Sequence, residues 1–342
     1  MPDKNRATIS THFARIAIAR AVTLGCDQGE LLKTARLTVA LLADDRTRIT
    51  PAQLGALYRR IWQRLDDELL GFGAASHRHG MFALMARHTT RCADLREALR
   101  YSVQFYNLMS SSLRWQLLEA GDRVELNLNL LEPARDPQHL VEEFMLLVWH
   151  RYFNWLIGVR MPLLETCFRF ARPLHAPEHG FMFPGPVHYQ AGISGIRFPA
   201  HFLDQPVLRN RSELRRYLQH LPDEWFIKQV FAHSLADHIY QVLMDAQERA
   251  FPDMRSLAAR WHITTRTLHR HLQQENNSFR QIRDQVRRDK AIGWLLDDNC
   301  QVGEVARRLE LTEPAFSRAF KNWTGLTPLV YRRSRSGGQQ PV

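Results

Sequence analysis

The sequence has few of the features that mark secreted, membrane or redox proteins. Its 342 residues include only four cysteines, all at least 66 residues apart, so no CxxC pair is available for a zinc ribbon or a redox centre. We interpret them as reduced, mostly buried thiols of a cytoplasmic protein. The charged N-terminus lacks an apolar segment, and the most apolar run, residues 144–149, is far shorter than the roughly 20 residues of a membrane helix. We therefore predict neither a signal peptide nor a membrane span.

Acidic residues are also scarce relative to basic ones. The chain has 46 Lys and Arg against 35 Asp and Glu, which gives a net charge of +11 and a pI near 9.9. The excess is uneven, because residues 251–342 carry 16 basic and 9 acidic residues, a net charge of +7. Neutralised phosphates supply most of the affinity in contacts with nucleic acids, so a basic C-terminal part indicates an anionic polymer as partner.

Catalytic motifs are missing as well. No GxSxG, P-loop or GxGxxG motif occurs, so we predict neither a catalytic residue nor a cofactor. The string His175-Ala-Pro-Glu-His179 matches the HxxEH pattern of zinc proteases, which needs both histidines on one helical face. Pro177 lies inside this string, and proline in a helix interior costs about 3 kcal/mol. We interpret the segment as a surface loop and predict no metal site; a metal-dependent hydrolase with a DNA-binding tail is the disfavoured alternative.

Hydrophobic periodicity predicts a mixed N-terminal part and a helical C-terminal part. The helical pattern covers residues 12–42, 51–65, 94–109 and 140–160, and the last of these is apolar on most faces. Strands are predicted over residues 124–130, 167–172 and 196–198. From Glu213 onward the pattern is helical again, and Phe251-Pro252 interrupts it.

These patterns predict four consecutive segments. An α+β domain covers residues 1–210, and a helical connector covers residues 211–250. An all-α DNA-binding domain covers residues 251–335, and a polar tail covers residues 336–342. The boundary between connector and DNA-binding domain is placed at residues 248–253.

Two segments near the C-terminus share one pattern that predicts paired helix-turn-helix units. Each has a short apolar helix with a central alanine, then a turn, then a threonine that can cap a second helix. The alanines are Ala258 and Ala306, 48 residues apart, and the threonines are Thr264 and Thr312. A small alanine allows the first helix to cross closely over the second, as helix-turn-helix units require.

The second helix of the first unit has a polar, largely basic face. Residues at i, i+3, i+4 and i+7 are Arg266, His269, Arg270 and Gln273, and a leucine pair, Leu268 and Leu272, lies opposite. Arginine binds guanine through two hydrogen bonds in the major groove, and neighbouring basic side chains bind phosphates. A solvated amphipathic helix has the same pattern, but its repetition in a basic domain favours DNA binding.

The chain resembles the AraC/XylS family of transcription regulators over nearly its whole length. In the DNA-binding part the resemblance lies in TLHRHL, SFRQIRDQVRRDKAIGWLLDD and FSRAFKNWTGLTPLVYRR. In the N-terminal part, LGCDQGELLKTARL, SVQFYNLMSSSLRWQL, GDRVELNLNLLEP and FRFARP resemble the arabinose-binding-like regulatory domain. The resemblance implies that residues 1–210 form an α+β regulatory domain that senses an effector and dimerises. It further implies an all-α domain with two helix-turn-helix units joined by a linking helix.

The resemblance further implies a ligand-responsive, sequence-specific transcription regulator without catalytic activity. Its expected partners are double-stranded DNA at a promoter or operator, a small-molecule effector and a second copy in a homodimer, with RNA polymerase as a candidate. We expect it in the cytoplasm, associated with the nucleoid when bound to DNA. An architectural DNA-binding protein without a ligand is the remaining alternative. The expected DNA contacts are Thr264, Arg266, His269, Arg270, Gln273, Arg318 and Lys321.

The sequence departs from the family pattern in both turns. His262 stands where the first turn usually has glycine, and Leu309-Glu310-Leu311 replaces Leu-Gly-Phe in the second. The second unit is also interpreted as one residue shorter between Ala306 and Phe316 than the usual pattern, which would rotate the following helix by about 100°. We therefore expect the first unit to read bases and the second mainly to hold the DNA backbone.

The effector site is expected in the N-terminal part, among aromatic residues with a polar anchor. Aromatic residues at helical spacing also build ordinary cores, and that alternative stays open. Asn127 and Asn129 are weaker anchors, expected on a solvated strand face. The candidates are His79, Phe82, Phe105, Tyr106, Trp115 and Trp149.

Overall fold

The computed structural model of the chain forms two compact units that are interleaved in sequence. The sheet unit comprises His12–Ala35 and Ala52–Lys228, and the helical unit comprises Met1–Thr11, Arg36–Pro51 and Gln229–Val342. Within them the structure describes residues 8–44, 47–226, 235–246, 251–261, 263–274, 277–295 and 300–333. The polar tail predicted at 336–342 and part of the boundary at 248–253 lie outside these residues.

Helices make up most of the regular structure in the described residues. None of them is both long and apolar enough to cross a membrane. In chain order they are α1 (Thr11–Thr23), α2 (Gln28–Ala35), α3 (Val39–Leu42), α4 (Pro51–Leu65), α5 (Met81–Thr89), α6 (Leu95–Met109), α7 (Leu140–Ile157), α8 (His179–Met182), α9 (Arg211–Gln219), α10 (Asp223–Phe226), α11 (Leu235–Asp245), α12 (Met254–Arg260), α13 (Thr265–Gln274), α14 (Phe279–Leu295), α15 (Val302–Arg308), α16 (Glu313–Thr324) and α17 (Pro328–Arg333). The strands are β1 (Ile9–Ser10), β2 (Arg48–Ile49), β3 (Leu113–Ala120), β4 (Arg123–Leu130), β5 (Glu165–Cys167), β6 (Val187–His188) and β7 (Ser194–Pro199).

The sheet unit contains a five-stranded sheet in the order β3-β4-β7-β5-β6. All neighbours are antiparallel except β5 and β6. Val124, Leu126 and Leu128 alternate along β4 and are all buried, as a strand with one apolar face requires. Helix α7 is apolar on most faces and almost wholly buried, so it is the central helix of this unit. The predicted α+β class is confirmed.

Two strand predictions differ from the structure. The strand expected over residues 167–172 is β5, which lies at Glu165–Cys167, and β3 was not predicted although Leu113 and Trp115 alternate with polar residues. Asn127 is buried instead of solvated. It lies beside Gly195 of β7, where an added Cβ would come within 2.4 Å of the Asn127 Oδ1 atom, so the glycine makes room for the amide.

The prediction of a surface loop at the HxxEH string is wrong. Residues Ala176–Glu178 form a 3-10 turn that leads directly into α8, and both His175 and His179 are buried. Pro177 is accommodated because it lies in the first turn, where its missing N–H has no helical partner to lose.

In the helical unit, α11 belongs to the core of the first helix-turn-helix. Ile239 and Leu243 of α11 are fully buried in one cluster with Leu268, Leu272 and Val286. Part of the connector predicted over residues 211–250 therefore packs as a structural element of this unit, which the linear division did not anticipate.

Two N-terminal segments also belong to the helical unit. Strands β1 and β2 pair antiparallel, and the Thr8 hydroxyl donates to Asp289 Oδ1 at 2.5 Å. The Tyr240 hydroxyl donates to the other oxygen of Asp289 at 2.8 Å, and the Tyr331 hydroxyl donates to the Arg48 carbonyl at 2.5 Å. Buried polar groups of the C-terminal helices are thus satisfied by residues from the start of the chain.

Candidate nucleic-acid interface

The first helix-turn-helix consists of α12 and α13. After α12, the Ile263 N–H donates to the Ala258 carbonyl at 3.0 Å, which closes the turn. The Thr264 hydroxyl then accepts a hydrogen bond from the Thr267 N–H at 3.1 Å and so caps α13, as the sequence predicts. His262, predicted to be strained, lies outside the described residues.

Helix α13 separates its apolar and polar faces as expected. Leu268 and Leu272 are fully buried, whereas Arg266, His269, Arg270 and Gln273 are exposed. We call these four residues the α13 stripe. Within the described part of the chain, neither arginine of the stripe forms an ion pair, so both guanidinium groups are available to an anionic partner.

The second unit, α15 and α16, has the same turn as the first. The Leu311 N–H donates to the Ala306 carbonyl at 3.0 Å, the Thr312 hydroxyl accepts from the Ala315 N–H at 3.4 Å, and Phe316 is fully buried. Each of these positions lies 48 residues after its counterpart in the first unit. The spacing from the central alanine to the buried core residue is therefore identical in the two units of this chain. The shortening relative to the family's usual pattern, and the rotation of α16 expected from it, stay predictions.

Glu310 does occupy a position that favours glycine. Its φ of 58° is left-handed, which is uncommon for a residue with a Cβ atom. The Glu310 carboxylate lies 3.9 Å from the guanidinium of Arg287. The turn therefore has the same geometry as the first, at the cost of local backbone strain at Glu310.

The same offset of 48 residues places different side chains on the exposed face of α16. Arg318 and Lys321, both exposed, correspond to Arg270 and Gln273. The counterpart of Arg266 is Pro314, which has no hydrogen-bond donor, and Glu313 next to it is acidic. Helix α16 therefore presents cations in its middle and in its last turn, and none in its first turn.

The linking helix α14 contributes arginines of another kind. The Arg287 side chain is only 13% exposed and lies over the Phe251 ring, and burial together with nearby Arg283 lowers its pKa. Arg288 is similarly covered and its Nε lies 3.2 Å from Asp289 Oδ1. These two residues stabilise the unit and are poorly placed to contact phosphates.

The predicted effector residues are divided between the core and the surface of the sheet unit. Trp115 and Trp149 stack with ring centroids 3.8 Å apart, and Tyr106 contacts Trp149 and Phe105. Phe82 packs elsewhere, against Tyr152 and Trp225, and His79 is exposed beside Trp62. Four of the six candidates, Phe82, Tyr106, Trp115 and Trp149, are thus buried core residues.

A cavity of about 460 Å³ lies elsewhere in the sheet unit, between the end of α5 and the start of α9. None of the six predicted residues lines it. In the sequence, this cavity is indicated only by two pairs of arginines spaced i, i+4, namely Arg87 with Arg91 and Arg211 with Arg215. The pairs lie on separate segments, which the fold brings together. The lining residues are Arg87, Thr90, Arg91, Arg209, Asn210, Arg211, Leu214, Arg215 and Leu218.

Comparison with known proteins decides the family. The arabinose-binding domain of AraC transcription regulators, N-terminal, matches residues 25–207, more than half of the chain, and a helix-turn-helix domain matches residues 257–334. The chain belongs to the AraC family of transcription regulators. The matched ranges contain the α13 stripe, α16 and all five strands of the sheet.

Relatives of this AraC-family chain are regulators too. It is similar to the ornithine utilization regulator of Pseudomonas aeruginosa, at 21% identity over 243 residues and 71% of each chain. An uncharacterized HTH-type transcriptional regulator of Mycobacterium tuberculosis is 27% identical over 338 residues, 84% of this chain and 89% of its own. The crystal structure of the transcriptional regulator CdpR from Pseudomonas aeruginosa covers 95% of this chain and 99% of its own, at 20% identity and a TM-score of 0.32.

Family membership confirms the predicted class of function. The chain is a DNA-binding transcription regulator with an N-terminal ligand-binding domain, and its family and relatives are regulators and not enzymes. The hydrolase alternative is therefore dropped.

Proposed function

We propose that this regulator reads a two-part DNA site asymmetrically, with α13 recognising bases and α16 mainly holding the phosphate backbone. The observation that carries the proposal is the pair of identical turns followed by unequal exposed faces. The shared turn supports placement of both helices in successive major-groove segments about one helical turn apart. Arg266 and Arg270 supply donors for base edges, whereas Arg318 and Lys321 supply positive charge for phosphates.

Selection of bound sequences from a random DNA pool by the full chain tests this proposal. We expect two boxes about 10 base pairs apart, with most of the sequence information in one of them. Footprinting on the selected site should then protect both boxes. Two boxes of equal information would contradict the asymmetric reading, and the absence of any sequence preference would contradict base recognition altogether.

For the effector we propose an anionic small molecule, held in the cavity between α5 and α9. Four of its five arginines, Arg87, Arg91, Arg211 and Arg215, form no ion pair within the described residues, and no acidic side chain lines the cavity. Arginine forks match carboxylate and phosphate groups, and the Leu214 side chain adds an apolar wall. Effector binding changes DNA binding only if it favours one arrangement of the regulator over another.

The stacked pair Trp115 and Trp149 is the competing effector site. Both indole N–H groups are buried and find no hydrogen-bond acceptor among the described residues, which suits a ligand that offers one. Phosphate and succinate serve as probe anions in calorimetric titrations of the wild type, Arg91→Ala and Trp115→Phe. We expect Arg91→Ala alone to weaken binding; loss in Trp115→Phe alone would favour the aromatic site.

The proposal also covers the oligomeric state, the protein partner and the location of the regulator. A homodimer would place two copies on neighbouring DNA sites, RNA polymerase would be the partner at a promoter, and the chain would act in the cytoplasm on nucleoid DNA. Sedimentation of the full chain with and without its selected DNA tests the dimer. If neither the probe anions nor metabolite extracts change operator affinity, the alternative of a DNA-binding protein without a ligand is favoured.

A further inference from the structure

Three side chains in the sheet unit converge on one point. The Nε2 atoms of His175 and His179 lie 2.7 and 3.0 Å from the same oxygen, Oε1 of Glu143. One ligand atom from each residue can be chosen so that all three lie within 4.8 Å of one another. We call Glu143, His175 and His179 the His2Glu cluster. Glu143 belongs to the central helix α7, and the two histidines flank the 3-10 turn before α8.

The His2Glu cluster is buried. The side chains of Glu143 and His179 are each 1% exposed, and that of His175 is 6% exposed. Aromatic rings enclose it: His12 stacks on His175 at 3.8 Å between centroids, and Phe168 packs against His179 at 4.9 Å. Such a shell keeps water away, which strengthens electrostatic interactions with an ion inside it.

The orientation of the cluster resembles that of metal ligands. The Nδ1 atom of His179 lies 2.8 Å from the Tyr189 hydroxyl, which holds the ring. Metal-binding histidines commonly use their second nitrogen in this way. The Nε2 atom of His179 is buried near Glu143 and has no hydrogen-bond partner among the described residues. The other carboxylate oxygen of Glu143, Oε2, is buried and has no hydrogen-bond partner within the part of the chain that the structure describes. A buried carboxylate oxygen without a partner is a position that a further donor or a cation can occupy.

We propose that the His2Glu cluster binds one divalent transition-metal ion of the zinc type. Two imidazoles and one carboxylate form a known zinc ligand set, with a fourth position left for water or another ligand. With ligand bonds of about 2.0–2.2 Å, tetrahedral geometry needs ligand atoms roughly 3.4 Å apart. In that geometry the nitrogens of His175 and His179 lie about 0.7 and 0.4 Å farther from Glu143 Oε1 than the 2.7 and 3.0 Å seen here.

The site differs from the one that the HxxEH string suggests. In that string the ligands and the acidic residue lie on one helix, whereas here the carboxylate comes from α7, some 30 residues earlier in the chain. The ion joins the segment from His175 to His179 to the central helix of the sheet unit. The inference does not depend on the proposed DNA contacts or on the anionic effector, since none of their residues belongs to the cluster.

Zinc titration of the metal-free, untagged full chain tests the proposal. We expect one saturable site per chain by calorimetry, a rise in the melting temperature with Zn²⁺, and reversal by a chelator. Co²⁺ in place of Zn²⁺ should give the visible absorption of a nitrogen- and oxygen-bound ion. Less than one equivalent of bound Zn²⁺, or a melting temperature that Zn²⁺ and chelator leave unchanged, would overturn the proposal and leave a buried hydrogen-bonded cluster.

Substitutions in and beside the His2Glu cluster test whether the metal ion binds there. Glu143→Gln should weaken Zn²⁺ affinity by more than about 100-fold, and Tyr189→Phe, which only releases the His179 ring, by roughly 10- to 100-fold. The matched control is Glu142→Gln, because Glu142 is equally buried on the same helix but binds Arg169 and Ser194. Circular dichroism of each metal-free variant verifies folding. Unchanged affinity in Glu143→Gln, or equal losses in Glu142→Gln and Glu143→Gln, would contradict the assignment.

Discussion

The two helix-turn-helix units have the same turn but different exposed faces. In both, an N–H five residues after the central alanine closes the turn and a threonine caps the next helix. The first unit then presents the α13 stripe, which begins with Arg266, whereas the second begins with Glu313 and Pro314. Backbone geometry is therefore shared, and any difference in DNA recognition must come from the identity of the side chains.

The two units also complete their cores with different parts of the chain. The first closes on α11 through Ile239 and Leu243. The second closes on α17, where Phe320 packs against Tyr331. A residue near β2 satisfies one of its polar groups, because the Thr47 hydroxyl donates to the Thr324 carbonyl at 3.0 Å. A fragment that begins at residue 251 lacks both supports, so we expect it to be less stable than a fragment that includes them.

The largest loss of stability is expected from a cavity in the core of the first helix-turn-helix. Leu243→Ala removes a fully buried side chain and should lower the free energy of unfolding by about 2–5 kcal/mol. Urea denaturation of the full chain measures it, with operator binding as a second readout. Leu329→Ala, at a position of α17 in the same helical unit that is 54% exposed, is the control and should change stability by less than about 0.5 kcal/mol. Equal losses would show that α11 does not complete this core.

The next-largest effect distinguishes the exposed face of α13 from that of α16. Arg266→Ala should cost about 1–3 kcal/mol of binding to the selected operator and little on random DNA, because a base contact is lost. Pro314→Ala changes the equivalent position of the second unit and should leave both affinities unchanged. Fluorescence anisotropy with the two DNAs measures these values. Equal losses on operator and random DNA for Arg266→Ala would remove it from the base-reading residues.

The sequence predicts the helices, the caps and the buried leucines well because each is a local pattern. The Thr264 and Thr312 caps and the buried face of α13 need only neighbours within one turn. The sequence misleads at the HxxEH segment because Pro177 indicates a broken helix, and because the surroundings of the segment depend on Glu143, which is distant in sequence. The arginine-lined cavity and the place of β1 and β2 in the helical unit likewise arise from contacts between residues far apart in the chain.

A smaller loss of DNA affinity is expected from substitutions on the exposed face of α16. Arg318→Ala and Lys321→Ala should each weaken binding to operator and random DNA alike, because a phosphate contact does not depend on sequence. Each should also reduce the slope of log K against log salt concentration by about 0.9. Titrations between roughly 50 and 200 mM salt measure the slope. A loss confined to the operator would show that α16 reads bases, which would make the two units equivalent.

The smallest effect concerns the turn that the two units share. Glu310 adopts a left-handed backbone, which costs a residue with a Cβ atom roughly 1–2 kcal/mol, so glycine there should relieve strain. The greater flexibility of glycine in the unfolded chain offsets roughly 0.5–1 kcal/mol of that gain. The nearby Arg287 contributes little, since the Glu310 side chain is 42% exposed and the charges are 3.9 Å apart.

Glu310→Ala is the matched control for that substitution. It removes the same carboxylate but keeps a Cβ atom, so Glu310→Gly should be more stable than Glu310→Ala by about 1 kcal/mol in urea denaturation. The sequence selected from random DNA should be the same for both variants, because the turn keeps its length. Equal stability of the two variants would show that the backbone at residue 310 is not strained. A changed second box in the glycine variant would show that Glu310, and not the side chains of α16, sets the asymmetry between the units.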